Sequence, residues 1–371
     1  MSDDPLKIRL PFHNLEPTFF AGLLDDPILL LRTRSSGRNL LFDCGQIHHL
    51  AKRIFTPLDA VFVSHAHMDH WMGIDAVIRH LIVANRTIDL FGPAGLADRM
   101  EHKLNGYDWN LMEDYWCSFR VHEIHDDHIR RSFFPGPEGF RRHAEEPLAR
   151  VDQTIYRTPQ LEVRAVICDH RLDSLIFRIQ ERPAYLIDRD KLAGLGLSPG
   201  PWLGELQKYH LADGAVPASR KLYQKAEQAL QVADPDALLQ ALIKPQPGLS
   251  IGYVSDIGFT AENRERIIAL LEGVDLLACE CTYLSAEQER ARVASHLCVT
   301  DVNLLLQDLR PAFFVPMHLS RTYSRRSRDL YRELNPPPET RLLELPLQVT
   351  PRPLQAAEID WRAYQQDLPD R

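Results

Sequence analysis

Ala60-Val61-Phe62-Val63-Ser64-His65-Ala66-His67-Met68-Asp69-His70 is the stretch that decides the reading of this chain. A β-rich apolar run stops abruptly in three imidazoles and a carboxylate packed into six residues. In extended backbone His65, His67 and Asp69 project to one side, because strand side chains alternate with period two. Imidazole and carboxylate together suit Zn²⁺, and other first-row divalent ions are compatible. Without a cation, so many polar groups at a strand end would be costly to desolvate.

Six residues cannot hold two metal ions alone, so further ligands are expected past later strands. His170 follows an apolar run at 161–168, Asp256 follows one at 251–254, and His318 follows one at 313–315. Further strand-like runs lie at 28–31, 40–42, 90–91, 175–179 and 274–279, and helical patterns at 74–83 and 299–309. This is a mixed α/β chain with its polar motifs just past strand tips, where loops converge. Residues 1–371 read as one domain. Two stretches, 99–150 and 192–247, read as irregular insertions, the second with a helical piece near 222–232. The Pro-rich tail from about 348 reads as peripheral.

The 371 residues carry 43 Lys+Arg against 51 Asp+Glu, a net charge of −8, and 44% are hydrophobic. That is too apolar for a disordered chain. No apolar run approaches the roughly 18 residues that span a bilayer, so no membrane association is expected. The acidic start Met1-Ser2-Asp3-Asp4 lacks a secretory pattern. Six cysteines without a disulfide-like spacing imply reduced thiols and a cytoplasmic protein. Net acidity argues against broad nucleic-acid coating but leaves room for a local basic groove.

The His-x-His-x-Asp-His cluster at a strand tip resembles the metallo-β-lactamase fold superfamily, and within it ribonuclease Z, the tRNA 3′-end endonuclease. Leu41-Phe42-Asp43-Cys44-Gly45, Phe91-Gly92-Pro93-Ala94-Gly95-Leu96 and Ser174-Leu175-Ile176-Phe177-Arg178-Ile179 after His170 resemble that family's segments. So do Leu195-Gly196-Leu197-Ser198-Pro199-Gly200-Pro201, Ser295-His296-Leu297 and His318-Leu319-Ser320-Arg321-Thr322-Tyr323. The resemblance covers roughly residues 40–323. Departures are Ser198 in place of a proline, Ile257 after Asp256 where the family has Thr, and no clear Gly/Pro- and Lys/Arg-rich arm of the kind that grips tRNA.

The resemblance implies an αββα sandwich: two packed mixed β-sheets flanked by helices, with two divalent metal ions at one edge, zinc first and manganese or iron compatible. It implies that one ion takes His65, His67 and His170, the other Asp69, His70 and His318, and that Asp256 bridges them. It implies a phosphodiesterase that cuts RNA, precursor tRNA 3′ ends first, through a hydroxide shared by the metals. Asp69 would orient that water, His296 would assist the leaving oxygen, and Arg321 would pair with a phosphate. A homodimer also follows from the resemblance. The alternative substrate is a small phosphodiester such as a cyclic nucleotide, favoured by the −8 charge and the missing arm.

Other motifs weigh less. Glu280, in Cys279-Glu280-Cys281, is a weak candidate to support a ligand. The run His122-Glu123-Ile124-His125-Asp126-Asp127-His128 reads as a solvated or substrate-facing loop. Tyr107, Trp109, Tyr115 and Trp116 read equally as base-stacking residues or a small local core. Arg130-Arg131, Arg141-Arg142 and Arg325-Arg326 read as basic clusters, most such runs being solvated faces.

Overall fold

A computed structural model describes residues 10–211 and 217–349. The first sheet has eight strands in chain order: β1 (Leu15–Phe19), β2 (Leu29–Thr33), β3 (Asn39–Phe42), β4 (Leu58–Phe62), β5 (Thr87–Pro93), β6 (Ser118–Ile124), β7 (His128–Pro135) and β8 (His143–Ala149). Residues 154–342 supply β9 (Thr154–Arg157), β10 (Leu161–Asp169), β11 (Asp173–Glu181), β12 (Ala184–Ile187), β13 (Ile243–Gln246), β14 (Ser250–Val254), β15 (Leu276–Glu280), β16 (Phe313–Met317) and β17 (Arg341–Leu342). The second sheet runs β17-β16-β15-β14-β11-β10-β9, and β12 and β13 pair separately.

Strands alternate their side chains, so each sheet buries two faces. Phe42, Phe62, Phe91, Leu175, Phe177 and Tyr253 fill the space between the sheets. Phe42 stacks on Phe62 at 4.6 Å and meets Phe177 of the opposite sheet edge-on at 5.5 Å. Fully burying such a side chain stabilises by roughly 1.5–3 kcal/mol. The outer face of the first sheet packs on the helices Ile74–Leu81 and Leu96–Leu104, that of the second on Ala261–Leu271 and Val299–Leu309. The result is the αββα sandwich of the metallo-β-lactamase fold. No helix among the described residues is long and apolar enough to cross a membrane.

The stretch 99–150 departs from the irregular insertion expected of it. It carries β6–β8, which extend the first sheet. Its charged residues hid the alternation: they pair across strands, Arg130 Nε donating to Glu123 at 2.6 Å and Arg120 Nε to Glu145 at 3.0 Å, while Phe119, Val121 and Phe134 turn inward. The run 122–128 is accordingly a hairpin rather than a solvated loop. His122 Nε2 lies 2.8 Å from Asp89, and Glu123 is buried, accepting the Gly95 amide at 2.6 Å. Trp109 and Trp116 pack around Phe140 as a local core, while Tyr107 and Tyr115 stay half exposed.

The stretch 192–247 is likewise regular. Helices Arg189–Gly194, Pro201–Leu211, Arg220–Leu230 and Pro235–Leu242 close a core of their own. Its pairs Trp202/Leu206, Leu222/Ala226 and Leu238/Leu242 are each four residues apart, the spacing of one helix face. The β12–β13 ribbon is the stem of this unit. Of the tail from about 348, Val349 donates its amide to Asp25 at 2.6 Å. Residues 350–371 lie outside the described residues.

Candidate metal centre

Direction of travel places the site. Strands β3 and β4 run parallel, as do β14, β15 and β16, and β10 is antiparallel to a strand that is itself antiparallel to β14. The C-terminal tips of these six strands therefore meet at one edge, carrying Asp43, His65–His70, His170, Asp256, Glu280 and His318.

The histidine cluster reaches this edge by a different route from a continued strand. Strand β4 stops at Phe62, and His67 immediately precedes a helical turn, Met68–Trp71, that contains Asp69 and His70. That turn splits the motif. Ligand atoms of His65, His67, His170 and Asp256 converge within 4.8 Å of one another; those of Asp69, His70, Asp256 and His318 do the same. A third set, Asp256, Glu280, His296 and His318, overlaps both. The structure thus brings together all seven residues expected to bind metal and sets His296 beside them.

Three of the imidazoles, those of His65, His170 and His70, are aimed by their second nitrogen. His65 Nδ1 lies 3.1 Å from the Ser64 hydroxyl, leaving Nε2 facing His67 Nδ1 at 3.0 Å. His170 Nδ1 lies 2.6 Å from the Ser295 carbonyl, which fixes its proton there and frees Nε2. His70 Nδ1 lies 3.0 Å from Asp43, and its Nε2 is 3.2 Å from Asp256.

Asp43 is the residue that sequence reasoning passed over. It is fully buried, and its carboxylate accepts from the Ser64 amide (2.7 Å), the Ser64 hydroxyl (2.9 Å), the Tyr253 hydroxyl (3.0 Å) and the Ser255 hydroxyl (3.2 Å). It ties tips of both sheets together and orients His70. Its signal was a carboxylate directly after an apolar strand, in Phe42-Asp43-Cys44-Gly45. Asp43, Arg171, Ser295 and His318 all hold positive φ, between 56° and 61°. Such strain clusters where the surroundings over-determine a site.

Charge decides what the centre accepts. Burial pulls the His65 pKa down to about 2, with neighbouring His70 adding to the effect, so its ring is a neutral lone-pair donor. Asp256 is 2% exposed and nonetheless held below the usual carboxylate range, because His318 and His70 outweigh its burial. The same pairing raises both histidines. A buried carboxylate that draws this much positive charge, ringed by imidazole nitrogens, fits a divalent cation.

Glu280 is buried and accepts the Ile257 amide at 2.8 Å and the Thr282 hydroxyl at 2.6 Å; His296 Nδ1 sits 3.0 Å away. Burial lowers the His296 pKa, but the Glu280 carboxylate more than offsets this and leaves it raised. Arg321 lies further out. Its Nε donates to the Leu24 carbonyl at 3.3 Å, and its guanidinium is 3.6 Å from Asp26.

Residues 38–146 match the family description of a β-lactamase superfamily domain. The chain's curated relatives are more particular. It is 29% identical to ribonuclease Z of Deinococcus radiodurans over 298 residues, covering 78% of this chain and 86% of that one. It is 27% identical to ribonuclease Z of Synechococcus sp. (strain CC9902), covering 79% and 81%. Among solved structures, human tRNase Z, short form, aligns at a TM-score of 0.48 and 15% identity, covering 88% of this chain and 96% of that one.

Proposed function

We propose that this chain is a binuclear metal-dependent phosphodiesterase that cleaves RNA endonucleolytically, with the 3′ end of precursor tRNA as its substrate. The observation that carries the reading is the pair of four-residue ligand sets sharing Asp256. The similarity to ribonuclease Z over most of the chain supports the substrate.

His65, His67 and His170 would hold one ion, Asp69, His70 and His318 the other, with Asp256 common to both. Bound there, two ions, most simply zinc, supply a water acidified to near-neutral pKa and a clamp on the attacking and leaving oxygens. The protein's own groups do the rest. Asp69, 41% exposed at its side chain, is held ionised because its hydrogen bond to His318 outweighs its partial burial, and it orients the attacking water. Glu280 and Thr282 hold the His296 ring by Nδ1. His296 Nε2 is then the proton source for the leaving 3′ oxygen.

The helical unit 189–242 would then hold the body of the RNA. It is rooted where β11 ends and β14 begins, at the sheet edge opposite the metal centre. A unit so placed serves a neighbouring subunit's centre better than its own, which supports a homodimer. Six buried free thiols accord with a reducing, cytoplasmic setting.

The test is incubation of zinc- and manganese-loaded protein with labelled precursor tRNA carrying a 3′ trailer, beside a chromogenic phosphodiester. The expected result is cleavage just past the discriminator base. Hydrolysis of the small diester alone would refute RNA as substrate while keeping the centre's chemistry.

A further inference from the structure

We propose that the arginine run following His318 (Arg321, Arg325, Arg326 and Arg328) forms a rim that grips the RNA backbone beside the cleaved phosphate. The proposal rests on the reading of the centre as an RNA phosphodiesterase. It adds where the chain flanking the scissile bond is held.

The first observation is compositional. Between Asp308 and Asp329 there is no Asp or Glu, yet five arginines occur, in a chain whose net charge is −8. The basic density therefore begins where the ligand-bearing strand β16 ends.

The second is that two of these arginines are unengaged. Several exposed arginines elsewhere are neutralised by carboxylates, Arg164 by Glu162, Arg264 by Asp308 at 2.6 Å, Arg310 by Glu339 and Arg332 by Asp329 at 2.8 Å, whereas others such as Arg53 and Arg79 face none among the described residues. Arg325 and Arg328 are exposed, and neither guanidinium has a hydrogen-bond or ion-pair partner among the described residues. Unpaired guanidinium groups left projecting from an acidic protein are suited to an anionic partner.

The third is position. A 3₁₀ turn, Arg321–Tyr323, follows His318 closely. Backbone bonds from Ser324 to Arg321 (3.1 Å), Arg326 to Tyr323 (2.8 Å) and Asp329 to Arg326 (3.0 Å) keep the segment coiled. With residues 318–320 spanning at most about 3.5 Å each and the coiled residues rising about 2 Å each, Arg325 stays within roughly 20 Å of His318. The buried Tyr323 pins the coil, and Arg326 lies over its ring at 5.2 Å. The guanidinium groups thus stand on a fixed base near the ligands. Their planar forks match phosphate oxygens two at a time, which an ammonium does not. A small phosphodiester seated in the centre would not extend to them, whereas a polynucleotide would.

The experiment compares metal-loaded wild type with the double variant Arg325→Gln/Arg328→Gln. Both residues are exposed and unpaired, so the fold does not depend on them. The ratio of precursor tRNA rate to chromogenic diester rate should fall about tenfold, through KM rather than kcat. The slope of log kcat/KM against log salt should become shallower by about 1.4, at roughly 0.7 per lost contact to single-stranded RNA. The Arg→Lys pair should recover the salt slope but only part of the affinity. An unchanged KM and salt slope would overturn the proposal. Should the wild type cut no RNA, the functional reading fails separately, and binding of a labelled single-stranded oligoribonucleotide then tests the rim. Loss of binding in the double variant supports it, and equal binding overturns it. Capture of polyglutamate but not the oligoribonucleotide would assign the rim to an acidic protein and overturn it too.

Discussion

The metal centre and the arginine rim lie within ten residues of each other along the chain, yet they are held in opposite ways. In the centre the groups that aim the ligands are buried and held several times over: Asp43 accepts from four groups besides facing His70, and Glu280 from two besides facing His296. On the rim, the Arg325 and Arg328 side chains are exposed and hold no partner among the described residues. The difference separates chemistry from grip. Groups that must be aimed to a fraction of an ångström are over-determined, whereas groups that meet a flexible polyanion are left free. Substitutions in the centre should therefore act on kcat, metal retention and stability, and those on the rim on KM.

The sharpest break is expected at Asp69. Asp69→Ala removes an ionised carboxylate from the ligand set without opening the core, since the side chain is partly exposed. Turnover should fall by at least about 10³-fold while the melting temperature stays within a few degrees. A variant that kept full turnover would sink the assignment.

Asp43→Ala should act on the same centre from behind. It strands the Ser64 amide, the Tyr253 and Ser255 hydroxyls and His70 Nδ1, all buried. Loss of roughly 3 kcal/mol of stability is expected from unsatisfied buried donors, with metal affinity reduced about 10–100-fold. Urea titration and zinc binding by competition with a chromogenic chelator read the two effects. Unchanged zinc affinity would leave Asp43 a purely structural residue.

Glu280→Gln is a smaller change and carries a pH signature. The Glu280 charge raises His296, so the proton that His296 offers is retained to higher pH in the wild type. Removing the charge lowers that pKa. The alkaline limb of kcat should move to lower pH, with a fall of about 10–100-fold above neutrality. The stability linkage has the same sign: a raised histidine stabilises fully below its unfolded pKa, and this is lost as pH rises through the folded one. A pH profile that drops uniformly without shifting would remove His296 from proton transfer.

How much of this was legible varies with the physics. That His65, His67, His70, His170, Asp256 and His318 converge could be expected from sequence because each sits just past an apolar strand, and strands announce themselves. The route of the cluster could not: the helical turn Met68–Trp71 has the same residues as an extended continuation, and only tertiary contacts choose between them. Strands β6–β8 stayed hidden because their charges neutralise one another across the ladder rather than facing water. Asp43 and the Ser295 carbonyl were missed because their importance lies in what they touch 21 to 210 residues away.

The smallest effect tests how far the centre's order extends. The loop around Gly22 supports the His318 segment: Leu319 donates to the Leu23 carbonyl at 2.8 Å, and Arg321 to that of Leu24. That loop is itself strapped by the segment 346–349, Leu23 and Leu24 donating to Pro346 and Leu347 at 2.9 and 3.0 Å. A Cβ on Gly22 would stand 2.6 Å from Gln348 Cα and 2.7 Å from the Pro346 carbonyl, backbone atoms that cannot rotate away. Gly22→Ala should therefore cost about 1–2 kcal/mol and lower turnover a few-fold, with the zinc concentration for half-maximal activity shifted upward. Gly194→Ala, where a Cβ would meet nothing within 4 Å, is the matched control and should stay within about 0.5 kcal/mol of wild type. If Gly22→Ala loses stability but titrates with zinc as the wild type does, the strap holds the fold without reaching the metal. If both change together, the order that aims His318 extends through the loop to the segment 346–349.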